Sequence, residues 1–99
     1  MDEAPNDRPQ WEHHIEYINA YAHDPQTKDF LATYYPSTKF AKYAAEGTLP
    51  ILNEIGEQGW ELVQMQPVWL QHDGSVTSAT SSGTNTYFCV FKRLKRPSY

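Results

Sequence analysis

In the stretch LNEIGEQGWELVQM, residues 52–65, an acidic helical pattern stops and alternating residues follow at once. A glycine just past a helix end can adopt the left-handed conformation without the steric penalty of a Cβ atom. With Gly59 in that position, counting back makes Ile55 the third residue from the helix end. A contact between that residue and Trp60 usually accompanies such a stop. The pattern therefore predicts a helix, a glycine stop and a strand.

The elements on either side of this stop follow from the same pattern. The predicted helix carries a narrow apolar stripe made by Leu49, Leu52 and Ile55. Gly56 within it should let the backbone approach the sheet closely, at a propensity cost of about 1 kcal/mol. In the strand, simple alternation places Trp60, Leu62 and Gln64 on one face. Pro67 cannot donate to a ladder, which predicts an edge position or a bulge there.

Two further strands are predicted at the ends of the chain. WEHHIEYINAY, residues 11–21, alternates aromatic and β-branched residues with Glu12, His14 and Glu16, as in a half-buried strand with its polar face in solvent. YFCVF, residues 87–91, is apolar on both faces, which predicts a central strand that is covered on each side.

The segment between the first strand and the helix allows two interpretations. Residues 30–35 alternate as in a returning hairpin strand, and the Thr-Tyr-Tyr content favours this interpretation. Equally, Asp24 could cap a helix with Pro25 at its first position. Further along, Ser37 is a suitable N-cap for a helix that Gly47 would end.

Together these elements predict an α+β fold: an antiparallel sheet of three or four strands with one main helix on one face, and room for a second short helix. The predicted organisation is a flexible arm at residues 1–10, a single domain at 11–94 and a basic tail at 95–99. Residues 71–85 form a long polar connection, and loops of this length are usually functional or disordered.

Composition points to a small cytoplasmic protein. The chain has 99 residues, a formal net charge of −4 and one cysteine, Cys89, so an intrachain disulfide is impossible and a reducing compartment is expected. The first ten residues, MDEAPNDRPQ, lack the apolar core of a signal peptide, and YFCVF is far too short to cross a bilayer.

Charge is distributed unevenly along the chain. Half of the 8 basic residues lie in the last eight positions: Lys92, Arg93, Lys95 and Arg96. The preceding part holds all 12 acids and the other 4 bases, a net charge of −8. This asymmetry predicts an interacting tail, with a solvated strand end as the alternative. Nucleic acid, another anion or an anionic membrane surface is a weaker expectation, because the acidic body would repel it.

No catalytic, metal or cofactor site is predicted. His13 and His14 are neighbours on a strand, so their side chains point to opposite faces and cannot share an ion. Glu12, His14 and Glu16 share a face, but no matching ligand spacing occurs elsewhere. Cys89 lies in an apolar strand, which indicates a buried, inert thiol. A glycine-rich phosphate loop and a nucleophile elbow are both missing from the sequence.

The aromatic content indicates a binding role. Three Trp, seven Tyr and four Phe exceed what one helix and a small sheet can bury, and Tyr and Trp are favoured at interfaces. The best candidates for exposed interaction residues are Tyr34, Tyr35 and Trp69. Packing beneath the long loops as satellite clusters is the alternative.

The helix-stop motif and a strand that ends in Phe-Lys-Arg resemble a small bacterial family, the domain of unknown function 4177. The likeness covers residues 11–21, 48–66 and 86–93, and its core is Gly-Trp-Glu-Leu-Val. It implies the fold but no catalytic residues, and this chain departs from the family in its long segments 22–47 and 71–85.

We therefore expect a non-enzymatic protein-interaction or self-assembling module without a cofactor. The alternative is an accessory subunit of a larger complex, attached through the arm, the segment 22–47 and the basic tail.

Overall fold

The computed structural model describes residues 8–95 and confirms the α+β fold, with a four-stranded antiparallel sheet and two α-helices. The elements, in chain order, are β1 (Trp11–Asn19), α1 (Pro25–Tyr34), a 3-10 turn (Ala45–Thr48), α2 (Leu49–Glu57), β2 (Glu61–Leu70), β3 (Val76–Ser78) and β4 (Thr86–Leu94).

The C-terminal strand lies in the middle of the sheet, whose strand order is β1-β4-β2-β3. Its register places Val90 beside Ile15 of β1 and Gln64 of β2. The central position predicted for the YFCVF strand is therefore confirmed. This strand separates two edges, one formed by β1 and the other by β2 and β3.

The hydrophobic core lies between the sheet and α2. Its buried residues come from β1 and the residue after it, from α2 and from β4: Ile18, Ala20, Ile55, Tyr87, Cys89 and Phe91. Tyr43, Leu52, Trp60 and Met65 pack around this cluster. The side of the sheet under α2 is called the covered face below.

The end of α2 has the geometry that the sequence predicts. Gly59 has a φ of +92°, in the left-handed region. The Trp60 N–H donates to the Ile55 carbonyl at 3.4 Å, and the Gly59 N–H donates to the Gly56 carbonyl at 2.9 Å. These are the two hydrogen bonds of a Schellman stop, and they satisfy carbonyls that the helix end leaves without partners.

The sequence predicts a close approach of the backbone to the sheet at Gly56, but the structure has the close approach at Gly47. A Cβ on Gly56 would meet nothing within 4 Å, whereas a Cβ on Gly47 would lie 2.5 Å from the Ala20 carbonyl oxygen. The 3-10 turn therefore packs directly on the chain at the end of β1. The sequence gives no sign of this contact, because it depends on the tertiary position of the turn.

Residues 25–34 form a helix, so the interpretation as a hairpin strand was wrong. Asp24 caps it, accepting a hydrogen bond at 3.2 Å from the Thr27 N–H, and Pro25 occupies the first turn. Hydrogen bonds from the Thr27 side chain and backbone lower the pKa of Asp24. A cap and a first-turn proline thus outweigh the β propensity of the Thr-Tyr-Tyr run.

The helix predicted after Ser37 is not formed. The chain instead runs alongside the end of β1, where Tyr43 forms an isolated bridge with Tyr21. The Ala22 N–H donates to the Lys42 carbonyl at 2.8 Å, and the Ala44 N–H donates to the Ala20 carbonyl at 3.0 Å. These long-range hydrogen bonds override the local helical preference.

Strand β2 departs from simple alternation. A register shift between Leu62 and Gln64 places Leu62 opposite Phe91 and Gln64 opposite Val90. Those two residues of β4 point to opposite faces, so the prediction that Leu62 and Gln64 share a face was wrong. Pro67 lies on β2 one residue before the short pairing of this strand with β3 begins at Val68. At Pro67 the missing N–H therefore costs the sheet no hydrogen bond.

The polar connection 71–85 is partly ordered, with β3 inside it. A tight turn with Gly74 at a φ of +89° joins β2 to β3. Asp73 accepts hydrogen bonds from the Ser75 hydroxyl at 2.6 Å and from its N–H at 2.9 Å, and these bonds lower the pKa of Asp73. The side chain of Asp73 therefore serves the turn.

The predicted arm and tail lie mostly outside the described part of the chain, at residues 1–7 and 96–99. Their inner ends continue the sheet, because the Lys95 N–H donates to the Gln10 carbonyl at 2.8 Å. Within residues 8–95, neither helix combines the length and the apolar character that a bilayer span requires.

Candidate interaction surface

The face of the sheet opposite α2 carries a row of apolar and aromatic side chains, which we call the open face. Its members lie at alternate positions of β1 and β4 and pair across the two strands: Trp11 with Leu94, His13 with Lys92, Ile15 with Val90, and Tyr17 with Phe88. Paired residues of an antiparallel ladder point to the same side, so these eight side chains form one surface.

No described helix or loop covers this surface. Trp11 is 46% exposed, Ile15 55%, Tyr17 50% and Leu94 57%. Within the face, the Lys92 ammonium lies 4.4 Å from the centre of the Trp11 ring, and the Tyr17 and Phe88 rings are 5.3 Å apart. The face is therefore ordered by contacts among its own members while its apolar area remains in water.

The polar side chains of β1 lie on the same side of the sheet as α2, where Glu12, His14 and Glu16 remain about 40% exposed. Arg93 forms an ion pair with Glu12 at 2.7 Å and stacks 4.1 Å from the centre of the Trp60 ring. His14 contacts Glu16 at 2.7 Å, and its ring lies 5.5 Å from Trp60. Neighbouring side chains thus satisfy the polar groups of β1, and of its apolar residues only Ile18 joins the core, while Trp11, Ile15 and Tyr17 point to the open face.

The outer edge of β1 has unpaired backbone groups. The Ala20 N–H donates to the Asn85 carbonyl, and the Lys95 N–H donates to the Gln10 carbonyl. These two bonds lie at the two ends of the β1–β4 ladder, and the register between them shows that the even-numbered residues of β1 are the ones that hydrogen-bond to β4. Residues in an antiparallel ladder alternate in direction. The N–H and C=O groups of the odd-numbered residues therefore point away from β4: Trp11, His13, Ile15, Tyr17 and Asn19. Among residues 8–95, no strand pairs with them.

The other edge of the sheet is protected. There β2 contains the bulge near Leu62 and the proline at residue 67, and its last three residues are covered by β3. Proline, bulges and very short strands are devices by which proteins prevent pairing at sheet edges. By contrast, β1 offers nine continuous residues without proline or a bulge.

The predicted basic tail does not form one patch in the described residues. Lys92 lies on the open face over Trp11, and Arg93 lies on the covered face with Glu12. The Arg93 guanidinium also donates to the Gln58 carbonyl at 3.0 Å, so this cation belongs to the fold. Lys95 bonds through its backbone to Gln10, and Arg96 lies outside the described residues.

The three aromatic candidates lie in two separate places, both away from the open face: the neighbours Tyr34 and Tyr35 at the end of α1, and Trp69 on β2. Tyr34 is 66% exposed near the end of α1, where its ring contacts Phe30 at 4.7 Å. Tyr35 contacts Phe40 edge-on at 5.6 Å. Trp69 is 40% exposed and lines a shallow cavity of about 470 Å³ in the β2–β3 hairpin. Each is exposed, but the structure does not bring Trp69 together with the two tyrosines.

The cysteine is fully buried on the covered face. Burial, and secondarily the charge of Glu16, raise the pKa of Cys89 from 9.0 to about 11. Its thiol is therefore protonated near neutral pH and has little nucleophilic character. In the described part of the chain, no cluster of three or more His, Cys, Asp or Glu side chains is arranged to hold a metal ion.

Sequence reasoning missed the open face as a site although it identified every strand that forms it. The signal was present: β1 has one apolar face and β4 has two, while the chain provides a single main helix to cover the sheet. Because one main helix can cover only one side of the sheet, the other apolar side could have been predicted to stay exposed.

No protein-family model, curated protein or solved structure matches this chain. The resemblance to the domain of unknown function 4177 family therefore stays a prediction.

Proposed function

We propose that this protein is a non-enzymatic protein-interaction module that works by burying the open face against a partner polypeptide. The observation that carries this proposal is the arrangement of β1. Its apolar side chains Trp11, Ile15 and Tyr17 are about half exposed on the side without a helix, while its polar side chains share the side that holds α2 and the core. A strand that served only the fold would have the opposite orientation.

The size and chemistry of the open face support this role. The eight side chains span seven residues along each of two neighbouring strands, roughly 24 Å by 10 Å, or about 240 Å². Contiguous apolar patches of this size on soluble proteins are often functional. Tyr and Trp provide much of the binding energy in protein interfaces, and the Lys92–Trp11 contact gives the patch a polar rim.

The shape of the molecule adds to this argument. Its radius of gyration is 17.2 Å, where a compact chain of 100 residues has about 13 Å. An elongated small domain has less core per residue and more surface to cover. Association with a partner would compensate for this thin core.

The test is purification of the tagged chain from its own cells at low salt, with native mass spectrometry of what accompanies it. The informative variant is Ile15→Ser with Leu94→Ser, because both side chains are more than half exposed and their loss should change folding stability by at most about 0.5 kcal/mol each. Ile51→Ser on α2 is the matched control, since Ile51 is 39% exposed on the helix side.

We expect the wild type and the control to retain the same associated polypeptide, whether a second copy or another protein, and the open-face variant to lose it. If the tagged chain is recovered in a fixed ratio with a different polypeptide, the protein is an accessory subunit of a larger complex. Retention of the partner by a folded open-face variant would contradict the proposal.

A further inference from the structure

We infer that β1 pairs edge to edge with β1 of a second copy, antiparallel about a two-fold axis at Ile15, so that two sheets join into one of eight strands. This inference deepens the proposed function by naming a second copy as one partner. It rests on the outer edge of β1 and not on the open face, so the two can fail separately.

The edge supplies the backbone groups that such pairing needs. Five consecutive odd-numbered residues of β1 direct both N–H and C=O outward. In the proposed register, Trp11 lies opposite the Asn19 position of the second copy, His13 opposite the Tyr17 position, and Ile15 opposite itself. Each such pair exchanges two hydrogen bonds, which makes about ten in all, the number found in a typical protein interface.

Side-chain chemistry favours this register over those centred on His14 and Glu16, and its five hydrogen-bonded pairs favour it over one centred on His13, which would align only residues 11–15. With the two-fold axis at Ile15, His14 of each copy lies opposite the Glu16 position of the other, on the covered face. Moving the axis to His14 would oppose Glu12 to Glu16, and moving it to Glu16 would oppose that residue to itself. Like charges directly opposite each other are destabilising in a sheet, whereas an imidazole opposite a carboxylate can form a hydrogen bond.

The pairing would also double the interaction surface. A two-fold axis perpendicular to the sheet keeps both helix layers on one side and both open faces on the other. The combined open face would then measure about 480 Å², closer to the roughly 800 Å² that each partner contributes to a standard interface. The edge of β1 would thus hold the two copies together, and their combined open face would provide the interaction surface.

The first arm of the test compares Ile15→Pro with Ile15→Ala by sedimentation velocity over a range of concentrations. The Ile15 N–H points outward, so proline at this position leaves the β1–β4 ladder intact but removes both hydrogen bonds at the two-fold axis. Alanine keeps the N–H and shortens the side chain on the open face.

We expect a dimer for the wild type and for Ile15→Ala, and at least a tenfold weaker dimer for Ile15→Pro. A monomeric wild type at all concentrations would overturn the inference while leaving the open-face proposal in place. Equal dimerisation of a folded Ile15→Pro variant would overturn it as well. If Ile15→Ala abolished the dimer, the copies would associate through the open face instead.

The second arm does not depend on the proline variant folding. His13→Cys and Tyr17→Cys are prepared separately and then mixed under mild oxidation. Partners in a hydrogen-bonded pair have Cα atoms about 5.5 Å apart, within the range of a disulfide. We expect a disulfide-linked heterodimer in the mixture and much less linkage in either variant alone. Equal linkage in the single variants and in the mixture would contradict the Ile15-centred register.

Discussion

The two faces of the sheet differ most clearly along β1, where successive residues alternate between them. On the covered face, Arg93 and neighbouring side chains satisfy Glu12, His14 and Glu16, and half of the buried core residues come from β4. On the open face, Trp11, Ile15 and Tyr17 remain about half exposed. We conclude that the covered face stabilises the fold and that the open face is available for binding.

The two faces of β1 also show how far the alternation of apolar and polar residues can predict which face of a strand is buried. A period of two identifies two faces of a strand, but it does not say which one is covered. The usual assumption that the apolar face lies inside fails here, because β4 already fills the covered side with Tyr87, Cys89 and Phe91. The position of a strand in the sheet therefore matters as much as its pattern.

The largest contrast between the faces should appear in thiol chemistry. Cys89 is buried on the covered face with a pKa near 11, whereas Leu94, on the same strand, is 57% exposed on the open face. At pH 8 the raised pKa alone lowers the thiolate fraction about 100-fold relative to a pKa of 9. We expect the introduced thiol of Leu94→Cys to be alkylated at least 100-fold faster than Cys89.

The same thiol gives a pH dependence of stability with a defined sign. Because the folded-state pKa is raised, this contribution is fully present below pH 9 and is lost as the pH rises toward 11. Mass spectrometry of the labelled peptides measures the alkylation rates, and urea unfolding at pH 8 and pH 10.5 measures the stability. Rapid labelling of Cys89 in the native protein would show that the covered face is open to solvent.

The next largest effect should come from the glycine at the close approach on the covered side. Gly47→Ala would place a Cβ 2.5 Å from the carbonyl oxygen of Ala20, which is fully buried. We expect a loss of about 2 kcal/mol in the free energy of unfolding, in the range typical of overpacking.

Gly56→Ala is the matched control, because its Cβ meets nothing and alanine is the better helix former. It should stabilise the protein by about 0.5–1 kcal/mol. Urea unfolding monitored by circular dichroism measures both variants. Equal effects of the two substitutions would mean that the 3-10 turn does not pack on the end of β1 as described.

Much of the fold could be predicted because some local sequence patterns are compatible with only one structure. The stop at Gly59 and Trp60 depends on a left-handed position, and the central place of β4 follows from apolar residues on both faces. The errors arose where two principles competed. In residues 25–34 the Asp24 cap outweighed β propensity, and after Ser37 the pairing of Tyr43 with Tyr21 outweighed helix propensity.

The candidate site was harder to predict, because exposure is a property of the whole assembly of elements. Tyr34 and Trp69 are exposed as expected, yet they lie on separate elements and form no common surface. The bulge between Leu62 and Gln64 has no clear sequence marker, so the faces of β2 could not be assigned by counting. The unpaired edge of β1 became visible only with the strand order.

The most direct test of the difference between the faces is hydroxyl-radical footprinting of the native assembly beside the free chain. We expect Trp11 and Tyr17 to be oxidised several-fold more slowly in the assembly. Tyr34 and Trp69, which are exposed but lie off the open face, should react at the same rate in both samples. Protection of Tyr34 or Trp69 with unchanged oxidation of Trp11 and Tyr17 would contradict the assignment of the open face as the binding surface.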